Sequence, residues 1–573
     1  MYDLKPLSAP RTTGALLQLA AGLLENPLIG PLLAKQQLDD LGISVLRERP
    51  VVDPVPAVHP LFETLPAIPP ECAPLELPEI PRAGAGFRFE TAEDFTEAYR
   101  TGRTTPLEVA ERLLARSQEL DRLNPPMRVF IAQEAEDLRA QAQASTERYR
   151  RGAPLGPLDG VPVAVKDEVD QAGYPTTAGT RFLGKEPASR DATAVARLRA
   201  AGALLVGKAN MHEIGLGVSG INPHHGAARN PYDPARITGG SSSGSAAAVA
   251  AGLSPLALGA DGGGSIRIPS ALCGVVGLKP TFGRVSEHGA APICWSVAHL
   301  GPIGATVRDT ALGYLVMAGP DAQDPNTRFQ PSPHLEGLGN MDLRGVRLGI
   351  YPAWFEDADA SVVSACRQML EVLRDAGAEL VEVEIPELGL IRLLHSLTIV
   401  TEMLAAHQEA YEHHREAFSH ETRVNFALLR QVRSDDYLLA QRHRARLHHQ
   451  VMVVMRTIDG LVTPATACTA RPIGADALRY GESNLPLLER LMRYMVLANL
   501  TGQPAIAFPA GYDPDGLPIG FQVIGHAWQE AFLLRLAHVA ERHVSRQAPR
   551  IYGRLLGVQE GAGMAGDRMA ART

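Results

Sequence analysis

The segment Leu256-Ala-Leu-Gly-Ala-Asp-Gly-Gly-Gly-Ser265-Ile-Arg-Ile-Pro269 constrains this chain more than any other. Three glycines in a row let the backbone turn sharply and aim its N–H groups inward, where side chains would otherwise block a substrate. The apolar run Leu256 to Gly259 reads as a buried strand that delivers the turn to the edge of a sheet. Ser265 then falls where its hydroxyl and the amides of Gly262, Gly263, Gly264 and Ser265 converge on a carbonyl group, the arrangement of an oxyanion hole. Ser265 is the candidate nucleophile.

A serine hydroxyl is a weak nucleophile and needs a base, yet neither this segment nor Thr238-Gly-Gly-Ser-Ser-Ser-Gly-Ser245 contains a histidine. Lys166 closes the apolar strand Gly160-Val-Pro-Val-Ala-Val-Lys-Asp167, and burial there disfavours the ammonium form. Ser241 or one of its neighbours then relays a proton between Ser265 and Lys166. A lysine base acts only when neutral, so activity is expected to rise toward alkaline pH.

Around these segments helix and strand signals alternate. Thr105-Pro106 opens an amphipathic helix, Asp191 to Ala201 reads as a helix stopped at Gly202, and Ala203 to Val206 as a buried strand. Ser361 to Ala376 is an amphipathic helix, Leu380 to Val383 and Gly460 to Thr463 are strands, and residues 390–455 are helix-rich. Ala505 to Pro509 and Ile519 to Ile524 flank Asp513-Pro514-Asp515-Gly516, which predicts a β-hairpin. The class is α/β. With 573 residues, 45% of them hydrophobic and 21% charged, the chain can form one large body plus an appendage. The appendage is residues 1–90, an apolar helical start followed by a Pro-rich arm from Pro50 to Pro74 that sustains neither helix nor central strand. The body spans 91–550, and a tail over 551–573, rich in Gly, Ala and Met from Gly557, is expected to fray.

A formal net charge of −8 argues against affinity built on nucleic-acid phosphates. The five cysteines (Cys72, Cys273, Cys294, Cys366, Cys468) form no C-x-x-C pair and suit a reducing, cytoplasmic compartment. No uninterrupted run of 18 apolar residues occurs. On a helix, Gln18, Gly22 and Glu25 make one narrow stripe, while Leu16, Leu17, Leu19, Leu23 and Leu24 cover most of the remaining circumference. Residues 13–34 therefore either insert shallowly into a lipid surface by apolar area, pack on the body, or form a dimer interface.

Gly160 to Asp167, Gly207-Lys-Ala-Asn-Met-His-Glu213, Asn230-Pro-Tyr-Asp233, Thr238 to Ser245 and Asp261 to Pro280 occur in this order and together resemble the amidase signature family over residues 90–545. The resemblance implies a central mixed β-sheet surrounded by helices and a Ser-Ser-Lys triad. Ser265 is its nucleophile, Ser241 its bridging serine after a cis peptide at Gly240, and Lys166 its base. Ser265 follows Ser241 by 24 residues, as in the family. Ser243, Gly262 and the segment Leu23-Leu-Glu-Asn-Pro-Leu-Ile-Gly30 are similar to the plant-type fatty acid amide hydrolase branch. That likeness implies hydrolysis of N-acylethanolamines and related long-chain amides through an acyl-enzyme, by a homodimer.

Other motifs are weaker. Gly202-Ala-Leu-Leu-Val-Gly207-Lys208-Ala209 imitates a phosphate-binding loop without its final hydroxyl. Gly240-Ser-Ser-Ser-Gly244 spells G-x-S-x-G around Ser242, but the polar segment Asp233 to Thr238 before it is a poor strand. His212-Glu213 and His224-His225 lack the further ligands of a metal site, and no cofactor signature is present. Arg267 is expected to pair with Asp261 and hold the glycine turn, and Cys273 to act as a buried small hydrophobe. The alternatives are a general short-chain or aryl amidase, an aminoacyl-tRNA amidotransferase component working with partners, and a catalytically silent binding protein.

Overall fold

The computed structural model describes residues 2–4, 10–49 and 86–557, so the Pro-rich stretch, Cys72 and the end of the tail lie outside the described residues. Eleven strands form one sheet. They are β1 (Phe130–Ala132), β2 (Pro162–Lys166), β3 (Leu204–Ala209), β4 (Leu256–Ala260), β5 (Val276–Lys279), β6 (Leu300–Gly304), β7 (Arg347–Ile350), β8 (Glu379–Glu382), β9 (Gly460–Pro464), β10 (Ala505–Tyr512) and β11 (Pro518–Gly525). Their order across the sheet is β8-β7-β9-β11-β10-β5-β6-β4-β2-β3-β1. The triplets β8-β7-β9 and β4-β2-β3 are parallel, and the strands between them are antiparallel. Every residue of β2 and β4 is buried, as continuous apolar strands covered on both faces require.

The local signals translate directly. The helix Pro106–Arg122 starts in a capping box, where Thr105 Oγ1 accepts from the Glu108 amide (3.2 Å) and the Glu108 carboxylate from the Thr105 amide (3.1 Å). The helix Thr193–Ala200 gives way to Gly202, whose φ of +88° suits glycine. β10 and β11 form the expected hairpin, with Phe508 opposite Phe521.

Two expectations are corrected. Asp233–Ile237 is a strand after all, but it pairs with Arg229–Asn230 in a separate ribbon that does not need an apolar sequence on both faces. The tail does not fray from residue 551: the Glu90 carboxylate accepts from the amides of Leu555 (2.7 Å) and Leu556 (3.2 Å), and Tyr552 OH accepts from the Glu90 amide (2.8 Å). The packed body therefore continues to its last described residues.

Five helices bear on the site: α1 (Gly14–Glu25), α2 (Gly30–Asp40), α3 (Ser243–Ala250), α4 (Ile391–Ala406) and α5 (His420–Leu429). α1 and α2 meet at 109°. Pro27 cannot continue α1, and Asn26 Oδ1 accepts from the amides of Leu28 (2.9 Å) and Ile29 (3.2 Å) to make the corner. α1 lays Leu17, Ala21 and Leu24 on Val424 and Ala427 of α5. The Glu25 carboxylate pins this contact through Arg423 Nε (3.0 Å) and Nη2 (2.6 Å). The wide apolar circumference is thus divided. One stripe packs on the body, while Leu16 (68% exposed), Leu28 (83%) and Leu32 (73%) face outward with Leu19, Ile29 and Leu33. α4 belongs to the stretch Leu388–Ala406, whose length and apolar composition match a membrane span, yet 61% of it is buried inside the body.

Candidate active site

Parallel pairing of β2 with β4 (Val163 opposite Leu256, Val165 opposite Leu258) brings their C-terminal ends to one edge, where open α/β sheets place their ligand sites. Lys166 arrives from one strand and the glycine turn from the other. Lys166 is 1% exposed, and its Nζ lies 2.8 Å from Ser241 Oγ and 3.4 Å from the carbonyl of Ala260. The neighbouring serines have other duties. Ser242 Oγ donates to Ala260 O (3.1 Å), Ser243 Oγ to Asn210 O (3.2 Å) and Ser245 Oγ to Leu258 O (3.1 Å), tying the all-buried α3 to the sheet. Ser241 is the serine that meets the lysine, and the Gly240–Ser241 peptide is cis, as the resemblance implies. Ser265 lies against the same segment, its carbonyl accepting from the Ser242 amide (3.3 Å). Its hydroxyl has no hydrogen-bond partner among the described residues.

The glycine turn is held from beneath by a buried ion pair. Arg267 uses all five N–H donors: two on the Asp261 carboxylate (2.9 and 3.0 Å), one each on Gln522 Oε1 (2.7 Å), Asn499 Oδ1 (2.7 Å) and the Met495 carbonyl (3.0 Å). This is the role expected from the sequence. Burial alone would raise the Asp261 pKa, but the Arg267 charge and the bonds from Arg267 and Asn499 outweigh it and hold the carboxyl well below its usual range. One expectation is corrected here. The Gly264 amide donates to Asp261 Oδ1 (2.6 Å) and is not free to meet an oxyanion. The amides of Gly262, Gly263 and Ser265 have no acceptor among the described residues.

The glycines serve packing as much as access. A Cβ on Gly263 would lie 2.7 Å from His395 Cε1 and 2.8 Å from Met492 Cε. One on Gly264, whose φ is +115°, would lie 2.7 Å from Ile268 Cδ1.

Two contacts at the site were not foreseen from sequence. His395, on α4, places Nε2 2.8 Å from the Gly262 carbonyl oxygen. Burial pushes its pKa down to about 4, so at neutral pH the ring is uncharged and Nε2 must carry the proton that it donates to this carbonyl. In a trans peptide the carbonyl and the following N–H point in opposite directions. Holding the Gly262 carbonyl toward α4 therefore turns the Gly263 amide away from α4. We expect His395→Leu to lower kcat by about ten- to a hundredfold with KM unchanged, because a donor is misaimed rather than removed. His395→Gln, which keeps an N–H at similar reach, should restore most of the rate; steady-state kinetics of the two variants test this. The second contact is an ion pair between Lys166 Nζ and Glu168 Oε2 at 2.5 Å.

These features define an amide-hydrolase class. The sequence matches the Amidase family over residues 108–534, and the chain belongs to the amidase signature family, with its α/β fold. It is an amide hydrolase by that membership. It is 38% identical to the fatty acid amide hydrolase of Arabidopsis thaliana over 573 aligned residues, covering 94% of each chain. It is 40% identical to the fatty acid amide hydrolase of Oryza sativa subsp. indica, again covering 94% of each chain. The solved peptide amidase of Stenotrophomonas maltophilia superposes with a TM-score of 0.69 at 29% identity, covering 80% of this chain and 98% of that one.

Proposed function

We propose that the protein cleaves long-chain fatty acid amides such as N-acylethanolamines to a fatty acid and an amine, through an acyl-enzyme on Ser265. Neutral Lys166 accepts the Ser241 proton as Ser241 takes that of Ser265, and Ser265 Oγ attacks the amide carbonyl. The amides of Gly262, Gly263 and Ser265 receive the oxyanion. The relay then runs backward and protonates the departing nitrogen, and water repeats the attack on the ester.

The observation that carries the lipid reading is a continuous run of packed apolar side chains from the glycine turn to the outer helices. A Cβ on Gly262 would touch Cys294 Sγ and Ile399 Cδ1 at 3.1 Å. Cys294 belongs with Met403, Tyr411, Phe418 and Phe426 to one cluster, and Phe426 lies on α5, the helix that carries α1. There Leu16, Leu19, Leu28, Ile29, Leu32 and Leu33 face outward, each forgoing part of the roughly 1.5–3 kcal/mol that full burial supplies. We read this face as the peripheral contact with a lipid surface, on an otherwise cytoplasmic homodimer. The 94% alignment to the Arabidopsis enzyme exceeds what residues 91–550 alone could supply, which favours this reading over an amidotransferase component.

The test is hydrolysis by the purified protein of a long-chain N-acylethanolamine against a short primary amide, with Ser265→Ala as control. A kcat/KM preference for the long chain is expected, at about tenfold per two CH₂ groups buried. Preference for the short amide would reduce the protein to a general amidase. Gel filtration should give the mass of two chains. A monomer active only with added partner proteins would favour the amidotransferase.

A further inference from the structure

The lysine proposed as base does not stand alone in an apolar pocket. Lys166 Nζ has three acceptors around it, Glu168 Oε2 at 2.5 Å, Ser241 Oγ at 2.8 Å and the Ala260 carbonyl at 3.4 Å, one for each proton of an ammonium group. Both charged side chains are buried, at 1% and 8% exposure. The backbone fixes this approach. β2 ends at Lys166, and the chain turns at once, the Val169 amide bonding the Lys166 carbonyl (3.0 Å) and the Ala291 amide bonding the Glu168 carbonyl (2.7 Å). That turn folds the side chain at position 168 back over position 166.

Titratable groups around the pair include Glu287, Cys294 and Glu402, with Asp324 beyond Glu287, while the adjacent Asp167 pairs with Lys208 (3.6 Å). Burial first, then repulsion from Asp324, Glu168 and Glu402, pushes the Glu287 pKa well above the carboxylate range. Burial likewise keeps the Cys294 thiol protonated. Glu402 is occupied by the Ser296 amide (3.0 Å), the Ser296 hydroxyl (2.5 Å) and Tyr437 OH (3.0 Å). Glu168 is thus the carboxylate in direct contact with the lysine.

We propose that Glu168 is the positioning residue of the base: its carboxylate holds Lys166 Nζ against Ser241 Oγ. The inference rests on the reading of Lys166 as base. Glu168, Ser241 and the Ala260 carbonyl surround Nζ on three sides, so the amine meets the bridging serine in a fixed orientation and accepts its proton without any movement of the side chain.

The experiment is steady-state kinetics on a long-chain amide for the full chain, Glu168→Ala, Glu168→Gln and Lys166→Ala. Glu168→Ala removes the group that holds Nζ and should lower kcat by about ten- to a hundredfold with KM unchanged. Glutamine keeps the length and an accepting oxygen, so Glu168→Gln should recover most of that loss. Glu168→Asp, which withdraws the carboxylate by one methylene, should lower kcat by less than alanine does, and it serves if the alanine variant fails to fold. An unchanged kcat in Glu168→Ala, a change confined to KM, or an equal loss in the alanine and glutamine variants would overturn the proposal. Lys166→Ala separates the two readings: if it retains the parental kcat, Lys166 is not the base, and the role assigned to Glu168 falls with it.

Discussion

Ser265→Ala is expected to lower kcat on a fatty acid amide by about 10⁵–10⁶-fold, the scale seen when a serine nucleophile is removed from a group that acts as a unit. The proposed mechanism assigns this loss to Ser265. Ser242, Ser243 and Ser245 each spend their hydroxyl on a backbone carbonyl, and Ser241 is bound to Lys166. Ser265 alone in these two segments has an uncommitted hydroxyl beside uncommitted amides. Lys166→Ala should cost nearly as much, and the double variant should be no worse than either single change, because proton transfer and attack are one event. Labelling by a fluorophosphonate should vanish in Ser265→Ala and slow in Ser241→Ala. Turnover above one hundredth of the parent rate in Ser265→Ala would move the nucleophile elsewhere.

The second large effect is on stability. Arg267→Ala should destabilise the protein by about 3–5 kcal/mol, because it leaves the Asp261 carboxylate buried without its partner. Urea unfolding at neutral pH measures this. The pH dependence has a definite sign. The folded Asp261 carboxyl sits below its unfolded value, so its contribution is fully present above an unfolded pKa of about 3.9 and is lost as pH falls through the lower folded value. In Arg267→Ala the desolvation that Arg267 offsets is uncovered and lifts the folded Asp261 carboxyl above its unfolded value, so the stability deficit should be largest at neutral pH and shrink as pH falls through the raised value. Replacing Asp261 and Arg267 together by apolar residues should cost less stability than Arg267→Ala alone. It should still abolish activity, since Asp261 also holds the Gly264 amide (2.6 Å) and the Ile266 amide (3.2 Å).

Much of this site was legible before any fold was known, and the legible parts share a property. Strand β2 ending in a lysine, a triple glycine before a serine, and an aspartate six residues from an arginine are each written within a few positions, where backbone geometry alone fixes what can meet. The resemblance supplied the long-range join of Lys166 to Ser241, 75 residues apart, and the structure places that bond at 2.8 Å.

What went unread lay either across the fold or in the detail of a turn. His395 reaches the Gly262 carbonyl across 133 residues, a meeting that exists only once α4 is packed against the glycine turn. Glu168 is two residues from the lysine, but whether its side chain folds back or points to solvent depends on the bond from Ala291, far along the chain. The Gly264 amide looks as free as its neighbours in the sequence because a run of glycines is uniform there, whereas in the fold the Asp261 carboxylate singles it out. At the N-terminus the apolar circumference of α1 was plain, but its division into a packed stripe and an outward one was not. Periodicity records that a face is apolar. Which part of it is covered is settled by the partner, here α5, whose Arg423 meets Glu25 of α1 from 398 residues further along the chain.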